Sequence, residues 1–270
     1  MKKLIKVLII VLFLLLVSML FRNFISMNKD IEQIKIKEIY IYSPKTKITA
    51  HRGYSVYTKE NTLEAFKKAK EMGADWIELD VRKTKDNILV VIHDDNLKRV
   101  FKKNIKVSET KYSILKKYNI PTLESIIAFA KENNLNINIE CKEVGYEDKI
   151  LKLINKYSYK DKVVITSFKY QVLKRIEQID NSYTTLIILS SIKNIKKYNL
   201  VDGYSVQYNS ITKEKIERLH NEGKIVYLWT IDSMVSLKKA IEMEPDNIIT
   251  NNLVDAFTAI NEASYAYIIN

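Results

Sequence analysis

The strongest constraint on this chain is a rhythm. From about residue 45 onward, apolar runs of strand length alternate with amphipathic stretches of helical length. The strand-like runs are KITAH (47–51), WIELDV (76–81), INIEC (137–141), VVITSF (163–168), TTLIILS (184–190), GYSVQYN (203–209), IVYLWT (225–230) and NIITN (247–251). Helices are predicted from Glu60, Glu147, Tyr170, Thr212 and Ser233, with a last one running to the C-terminus. Eight strand-helix units over residues 45–270 match the size and period of a (β/α)8 TIM barrel, whose working groups sit at the C-terminal ends of the strands. A doubly wound open sheet has a similar rhythm. The polar residues favour the barrel, because His51, Glu78 with Asp80, and Glu140 end several different strands.

One segment breaks the alternation. ILVVIHD (88–94) reads as a strand but follows the second run after only a few residues centred on Asp86-Asn87. Parallel neighbours need a crossover of about a dozen residues or more, so the spacing predicts an antiparallel β-hairpin after strand 2. A two-residue turn at Asp86-Asn87 would set Asp80 directly opposite His93.

The N-terminus is of another kind. VLIIVLFLLLVSMLF (7–21) carries no charge, follows Lys2, Lys3 and Lys6, and is closed by Arg22. With Leu4, Ile5 and a snorkelling Lys6 it reaches the ~17 residues a span requires. A cleaved signal is the rival reading, but Ser18-Met19-Leu20-Phe21 lacks the small-residue cleavage pattern. Residues 1–27 are therefore read as one N-terminal transmembrane helix or signal segment, 28–44 as a polar spacer and 45–270 as the barrel domain. Three lysines precede the apolar run, a bias that places the barrel outside the cytoplasm on a single-pass protein of the cell membrane. The formal net charge is +12; four of the 44 cations lie in residues 1–27, leaving 40 against 32 anions. Lysines spread over helix faces, without interleaved aromatics, argue against a nucleic-acid partner. The single cysteine, Cys141, cannot form an internal disulfide.

Chemistry concentrates at the strand ends. Glu78 and Asp80 are two apart on a strand and share a face, with Ile77, Leu79 and Val81 on the other. Asn138, Glu140 and Lys142 repeat the pattern on the next barrel strand. Three inward carboxylates in an apolar barrel repel one another, and a hard divalent cation relieves this. Pairing with Arg52 and Lys142 is the alternative. His51 and His93 each end a strand beside the carboxylates, where imidazoles can give and take protons near neutral pH. The third histidine, His220, sits near the end of an ordinary helix and is given no role.

HRG (51–53), ENT (60–62), GADWIELDV (73–81), HDD (93–95), PTLES (121–125), IEC-K (139–142), SF (167–168), LWTID (228–232) and IITN (248–251) together resemble the glycerophosphodiester phosphodiesterase family over residues 47 to about 260. The resemblance implies His51 and His93 as the acid-base pair and Glu78, Asp80 and Glu140 as ligands of Ca2+ or Mg2+. It implies Arg52 and Lys142 at the phosphoryl oxygens, Glu60 in support of His51, and Trp229 in the glycerol pocket. The reaction it implies is hydrolysis of a small or lipid-derived glycerophosphodiester to glycerol 3-phosphate and an alcohol, by attack of the substrate's own hydroxyl and opening of a cyclic phosphate. Lysophospholipase D action, cleavage of a glycerophosphate wall polymer, and a barrel without catalysis are the alternatives. The segment 96–118, with Lys98, Arg99, Phe101, Lys102, Lys103 and Tyr112, is read either as a contact to headgroups or as a solvated loop-helix.

Overall fold

The structure is a computed structural model that describes residues 13–22 and 39–268, with side chains for 13–22 and 43–264. The chain falls into two compact units, Met1–Tyr42 with Tyr265–Asn270, and Ser43–Ser264. In the first unit, residues 13–22 form a helix (α1) with outward apolar side chains, and β1 (Ile39–Tyr42) pairs antiparallel with β11 (Tyr265–Ile268). No helix among the described residues is long and apolar enough to cross a membrane, and the start of the predicted span, residues 7–12, lies outside them. The predicted spacer thus ends in a strand. Its IYIY sequence suits one, but the partner lies at the far end of the chain, where a helix was expected to continue.

The second unit is the barrel. Eight parallel strands, β2 (Lys47–Ala50), β3 (Trp76–Lys83), β5 (Asn136–Cys141), β6 (Val163–Ser167), β7 (Thr184–Leu189), β8 (Gly203–Gln207), β9 (Ile225–Trp229) and β10 (Asn247–Thr250), are ordered around the sheet as the sequence rhythm requires. Pairing of β2 with both β10 and β3 closes it. Around it lie α2 (Leu63–Glu71), α5 (Leu123–Glu132), α6 (Glu147–Lys156), α7 (Tyr170–Ile179), α8 (Lys213–Asn221), α9 (Met234–Glu242) and α10 (Leu253–Ala263). On β3 the alternation predicted from sequence is realised: Ile77, Leu79 and Val81 are fully buried in the main apolar cluster. Burying each such side chain stabilises the fold by about 1.5–3 kcal/mol. Gly203 is required where β8 meets β9, since a Cβ there would stand 2.1 Å from the Ile225 carbonyl oxygen.

Three local expectations need correction. The helix predicted from Glu60 begins at Leu63, because Asn61 is left-handed (φ 58°) and the Thr62 hydroxyl caps the helix by accepting from the Ala65 N–H at 3.2 Å. The last helix ends at Ala263. The hairpin exists, with β4 (Leu89–Val91) antiparallel to β3, but its register is Val81↔Val91, one residue from that expected. The turn has three residues rather than two: Thr84 N–H donates to the Ile88 carbonyl at 2.9 Å, and Asn87 closes the turn with φ 62°. Asp80 therefore faces Ile92, whose N–H donates to its carbonyl at 2.9 Å, and His93 lies one residue past the pairing.

Beyond β4 the chain makes two short helices, α3 (Lys98–Phe101) and α4 (Tyr112–Leu115). They enclose a second apolar cluster of Val90, Ile92, Leu97, Val107, Leu115 and Ile120, against which Phe101 and Tyr112 pack. The aromatic residues of this segment thus turn toward their own core.

Candidate active site

The turn after β2 sets the first part of the site. Gly53 has φ 81° and a Cβ there would stand 2.7 Å from Ala65, so only glycine fits. Arg52 just before it is also left-handed, with φ 57°. This strained conformation aims the Arg52 N–H at Glu78 Oε2 (2.9 Å) and its guanidinium at Asp80 Oδ2 (3.4 Å) and Glu60 Oε1 (3.1 Å).

Inside the barrel mouth, Glu78, Asp80 and Glu140 each present a carboxylate oxygen within 4.8 Å of the others. Lys142 Nζ bridges Asp80 Oδ1 (3.2 Å) and Glu140 Oε1 (2.5 Å). The pairing with Arg52 and Lys142 weighed from sequence is thus present, and it does not fully satisfy the trio: the buried Asp80 Oδ1 has the Lys142 ammonium beside it as an ion pair but outside hydrogen-bond geometry. Burial, then the charges of Asp80 and Glu140, pushes Glu78 well above the usual carboxylate range. Burial and Asp80 push Glu140 up to about 7. Burial opposes ionisation of Asp80 as well, but Lys142 and Arg52 outweigh it and hold the pKa down. Three hard oxygen donors this close, one ionised and two resisting ionisation, fit a divalent cation whose metal-oxygen distances run about 2.0–2.6 Å.

The histidines flank the trio. His51 Nδ1 meets Asn251 Oδ1 at 2.8 Å. That amide cannot be reversed without loss, because its Nδ2 donates to Asp232 Oδ2 (2.8 Å) while Ser55 Oγ donates to Oδ1 (3.0 Å). His51 therefore carries its proton on Nδ1, and the lone pair of Nε2, 3.9 Å from Glu78 Oε2, faces the site. His93 Nδ1 meets Asp94 Oδ1 at 2.7 Å, which fixes the same tautomer. Burial lowers the pKa of both rings; Arg52 adds to this at His51, and Asp80 and Asp94 oppose it at His93.

His51, Arg52, Glu78, His93, Glu140, Lys142 and Trp229 line one cavity of about 140 Å3. Its apolar wall is Trp229, edge-on to Phe168 (centroids 5.8 Å apart), with the indole N–H donating to the Ser205 carbonyl at 3.0 Å. Glu60 supports Arg52 rather than His51, because the turn carries it to the guanidinium and leaves His51 to Asn251. His220, unassigned from sequence, bonds Asp246 Oδ2 at 3.0 Å on an outer helix. Sequence reasoning missed Asn251, Asp232, Asp94 and Asn61, whose Nδ2 donates to Asp80 Oδ2 at 2.8 Å. Each lies within a matched motif; for Asn251, Asp232 and Asp94 the position just past a strand was the signal, whereas Asn61 lies in the turn before α2.

A closed parallel barrel with histidines and carboxylates converging on one cavity at its C-terminal mouth defines a barrel hydrolase site. Residues 51–254 match the Glycerophosphoryl diester phosphodiesterase family. A glycerophosphodiester phosphodiesterase of Caldanaerobacter subterraneus subsp. tengcongensis is 32% identical over 240 residues, which span 80% of this chain and 97% of that one. The glycerophosphodiester phosphodiesterase of Thermotoga maritima superposes with a TM-score of 0.68 at 28% identity, covering 79% of this chain and 97% of that one. An Oleispira antarctica phosphodiesterase, solved with its product sn-glycerol-3-phosphate, superposes with a TM-score of 0.73 at 22% identity, covering 80% and 96%. The chain belongs to the glycerophosphoryl diester phosphodiesterase family, and is a phosphoric diester hydrolase that acts on glycerophosphodiesters.

Proposed function

We propose that the enzyme is a metal-dependent hydrolase that cleaves glycerophosphodiesters to glycerol 3-phosphate and an alcohol, with His51 and His93 as its acid-base pair. The observation that carries this reading is that each histidine is held by Nδ1, leaving two Nε2 atoms for the cavity beside the carboxylate trio. The partners suggest the division of labour. His51 leans on a neutral amide and suits the base; His93 leans on a carboxylate that stabilises imidazolium and suits the acid.

Full ionisation of the trio, the state in which it would hold a cation, leaves the inner site in need of one. Arg52 and Lys142 against Glu78, Asp80 and Glu140 leave one negative charge when all are ionised, which repels a phosphodiester anion. A Ca2+ or Mg2+ ion held by the three carboxylates reverses that sign and polarises a phosphoryl oxygen when bound. His51 Nε2 takes the proton of the attacking glycerol hydroxyl. His93, entering the step as the imidazolium that Asp94 stabilises, then delivers its Nε2 proton to the departing alkoxide oxygen, and the pair reverses roles as water opens the cyclic phosphate. Arg52 and Lys142 face the phosphoryl oxygens, and Trp229 with Phe168 offers an apolar wall to the glycerol carbons. Full-length protein given glycerophosphocholine, glycerophosphoethanolamine, lysophospholipids and polyglycerophosphate tests this by product identification. Glycerol 3-phosphate formed with the cation and lost on chelation is the expected result, and full activity after exhaustive chelation would sink it.

A second reading, action on lipid-linked diesters at a membrane, is favoured by exposed apolar side chains on the loops at the mouth: Val56, Tyr57, Val144 and Phe168. The outward apolar side chains of α1 fit the same picture, an uncleaved N-terminal anchor holding the barrel on the outer face of the membrane. Protease added to intact cells degrades the barrel if this placement holds; protection reverses the topology, and a soluble protein starting after residue 21 marks a cleaved signal.

A further inference from the structure

Arg99 stands on α3, outside the barrel strands, and spends three nitrogens on two carboxylates. Its Nε donates to Asp94 Oδ2 at 2.7 Å, and its two terminal nitrogens donate to Glu60 Oε2 and Oε1 at 2.7 and 2.6 Å. Both carboxylates have a second contact inside the site. Asp94 Oδ1 meets His93 Nδ1 at 2.7 Å, and Glu60 Oε1 accepts from Arg52 at 3.1 Å. One guanidinium therefore joins the support of the second histidine to the support of the phosphate-facing arginine. The Arg99 side chain is itself half exposed, while those of Glu60 and Asp94 are four-fifths covered. Exposed ion pairs contribute little to stability, so the arrangement is better explained by what it orients. Its own base is fixed: Leu97 is fully buried beneath α3, and Phe101 packs on the second apolar cluster.

We infer that Arg99 is a positioning residue, which holds His93 and Arg52 in register with each other through Asp94 and Glu60 and touches no reacting atom. The inference rests on the roles proposed above for His93 and Arg52. It gives the segment between β4 and α5 a purpose, since that segment carries a planar, three-donor clamp that sets two carboxylates at once. A lysine cannot replace it, because a single ammonium lacks the fixed fork.

The test uses the full-length protein as wild type, Arg99→Ala and Arg99→Lys. Loss of an outer partner of this kind costs about 10–100-fold, so kcat is expected to fall by that factor in Arg99→Ala with the thermal midpoint unchanged. Arg99→Lys should recover little of it. Millimolar guanidinium should raise kcat of Arg99→Ala several-fold and do nothing for wild type. A kcat within twofold of wild type in either variant, or a loss that guanidinium does not relieve, overturns the inference. The ring 15N shifts of His93, read at a pH where the ring is neutral, decide it independently of turnover: one Nδ1–H tautomer in wild type, a mixture in Arg99→Ala. Unchanged shifts overturn the clamp, whereas an inactive wild type with the expected shifts would sink the catalytic reading alone.

Discussion

The two histidines are held by opposite means. His51 hangs from the barrel itself, through Asn251 and Asp232 at the ends of β10 and β9. His93 hangs from what the barrel carries, through Asp94 and Arg99 on the segment beyond β4. The first support presents a neutral amide from closed-sheet strands, and the second a carboxylate from an irregular excursion. Burial lowers the pKa of both rings; Arg52 adds to this at His51 while the Asn251 bond opposes it, and Asp80 and Asp94 oppose it at His93. On the reading proposed above, a neutral partner for one ring and an anionic partner for the other suit them to opposite proton transfers.

Removing either ring has the largest expected effect on the site. His51→Ala and His93→Ala should each lower kcat by about 10²–10⁴-fold with the fold intact. Steady-state assays checked by circular dichroism decide it, and near-wild-type turnover in one variant would show that only one half of the site does proton transfer.

Exchanging the characters of the two supports sharpens it. Asn251→Asp places a carboxylate on His51 and raises its pKa, so the acid limb of the kcat/KM profile should move to higher pH. Asp94→Asn removes the carboxylate from His93, and the alkaline limb should move to lower pH. Each should also cost about 10–100-fold at the optimum, as partners that orient a working group do. Limbs that stay in place, or move together, would mean that the acid and base are not divided as assigned.

The halves also differed in legibility. The eight strands and their inward carboxylates follow from a period of two, which local sequence displays: Glu78 and Asp80 share a face whatever the rest of the chain does. The His51–Asn251 bond joins residues 200 apart in sequence, and nothing local to either predicts it. The hairpin register turned on one left-handed residue, Asn87, which converted a two-residue turn into three and moved His93 off the face of Asp80. Arg99 lies in a basic and aromatic segment that sequence could read only as a contact to headgroups or as a solvated loop-helix.

The smallest expected effect concerns the barrel half alone, and it is thermodynamic. Glu140 has its pKa raised from 4.5 to about 7, first by burial and then by Asp80, and Glu78 shifts in the same direction. A carboxyl whose folded pKa lies above its unfolded value binds more protons in the native state. Its contribution to stability is therefore complete below about pH 4.5 and is lost as pH rises through about 7. Each unit of pKa difference is worth about 1.4 kcal/mol, so the loss from Glu140 is on the order of 3 kcal/mol at most, less what coupling to Asp80 and Lys142 absorbs. In chelator, the thermal midpoint of wild type should fall relative to that of Glu140→Gln between pH 5 and pH 8, because the lowered pKa values of His51 and His93 act in the opposite sense in both proteins and cancel in the difference. With millimolar Ca2+ or Mg2+ the fall should shrink, because a cation that requires deprotonated ligands binds more tightly as pH rises and stabilises the folded state by mass action. The difference between cation-loaded and chelated midpoints should accordingly grow from pH 5 to pH 8. Chelated curves of wild type and Glu140→Gln with the same pH dependence would mean that Glu140 stays ionised without a cation and that Arg52 and Lys142 alone balance the trio.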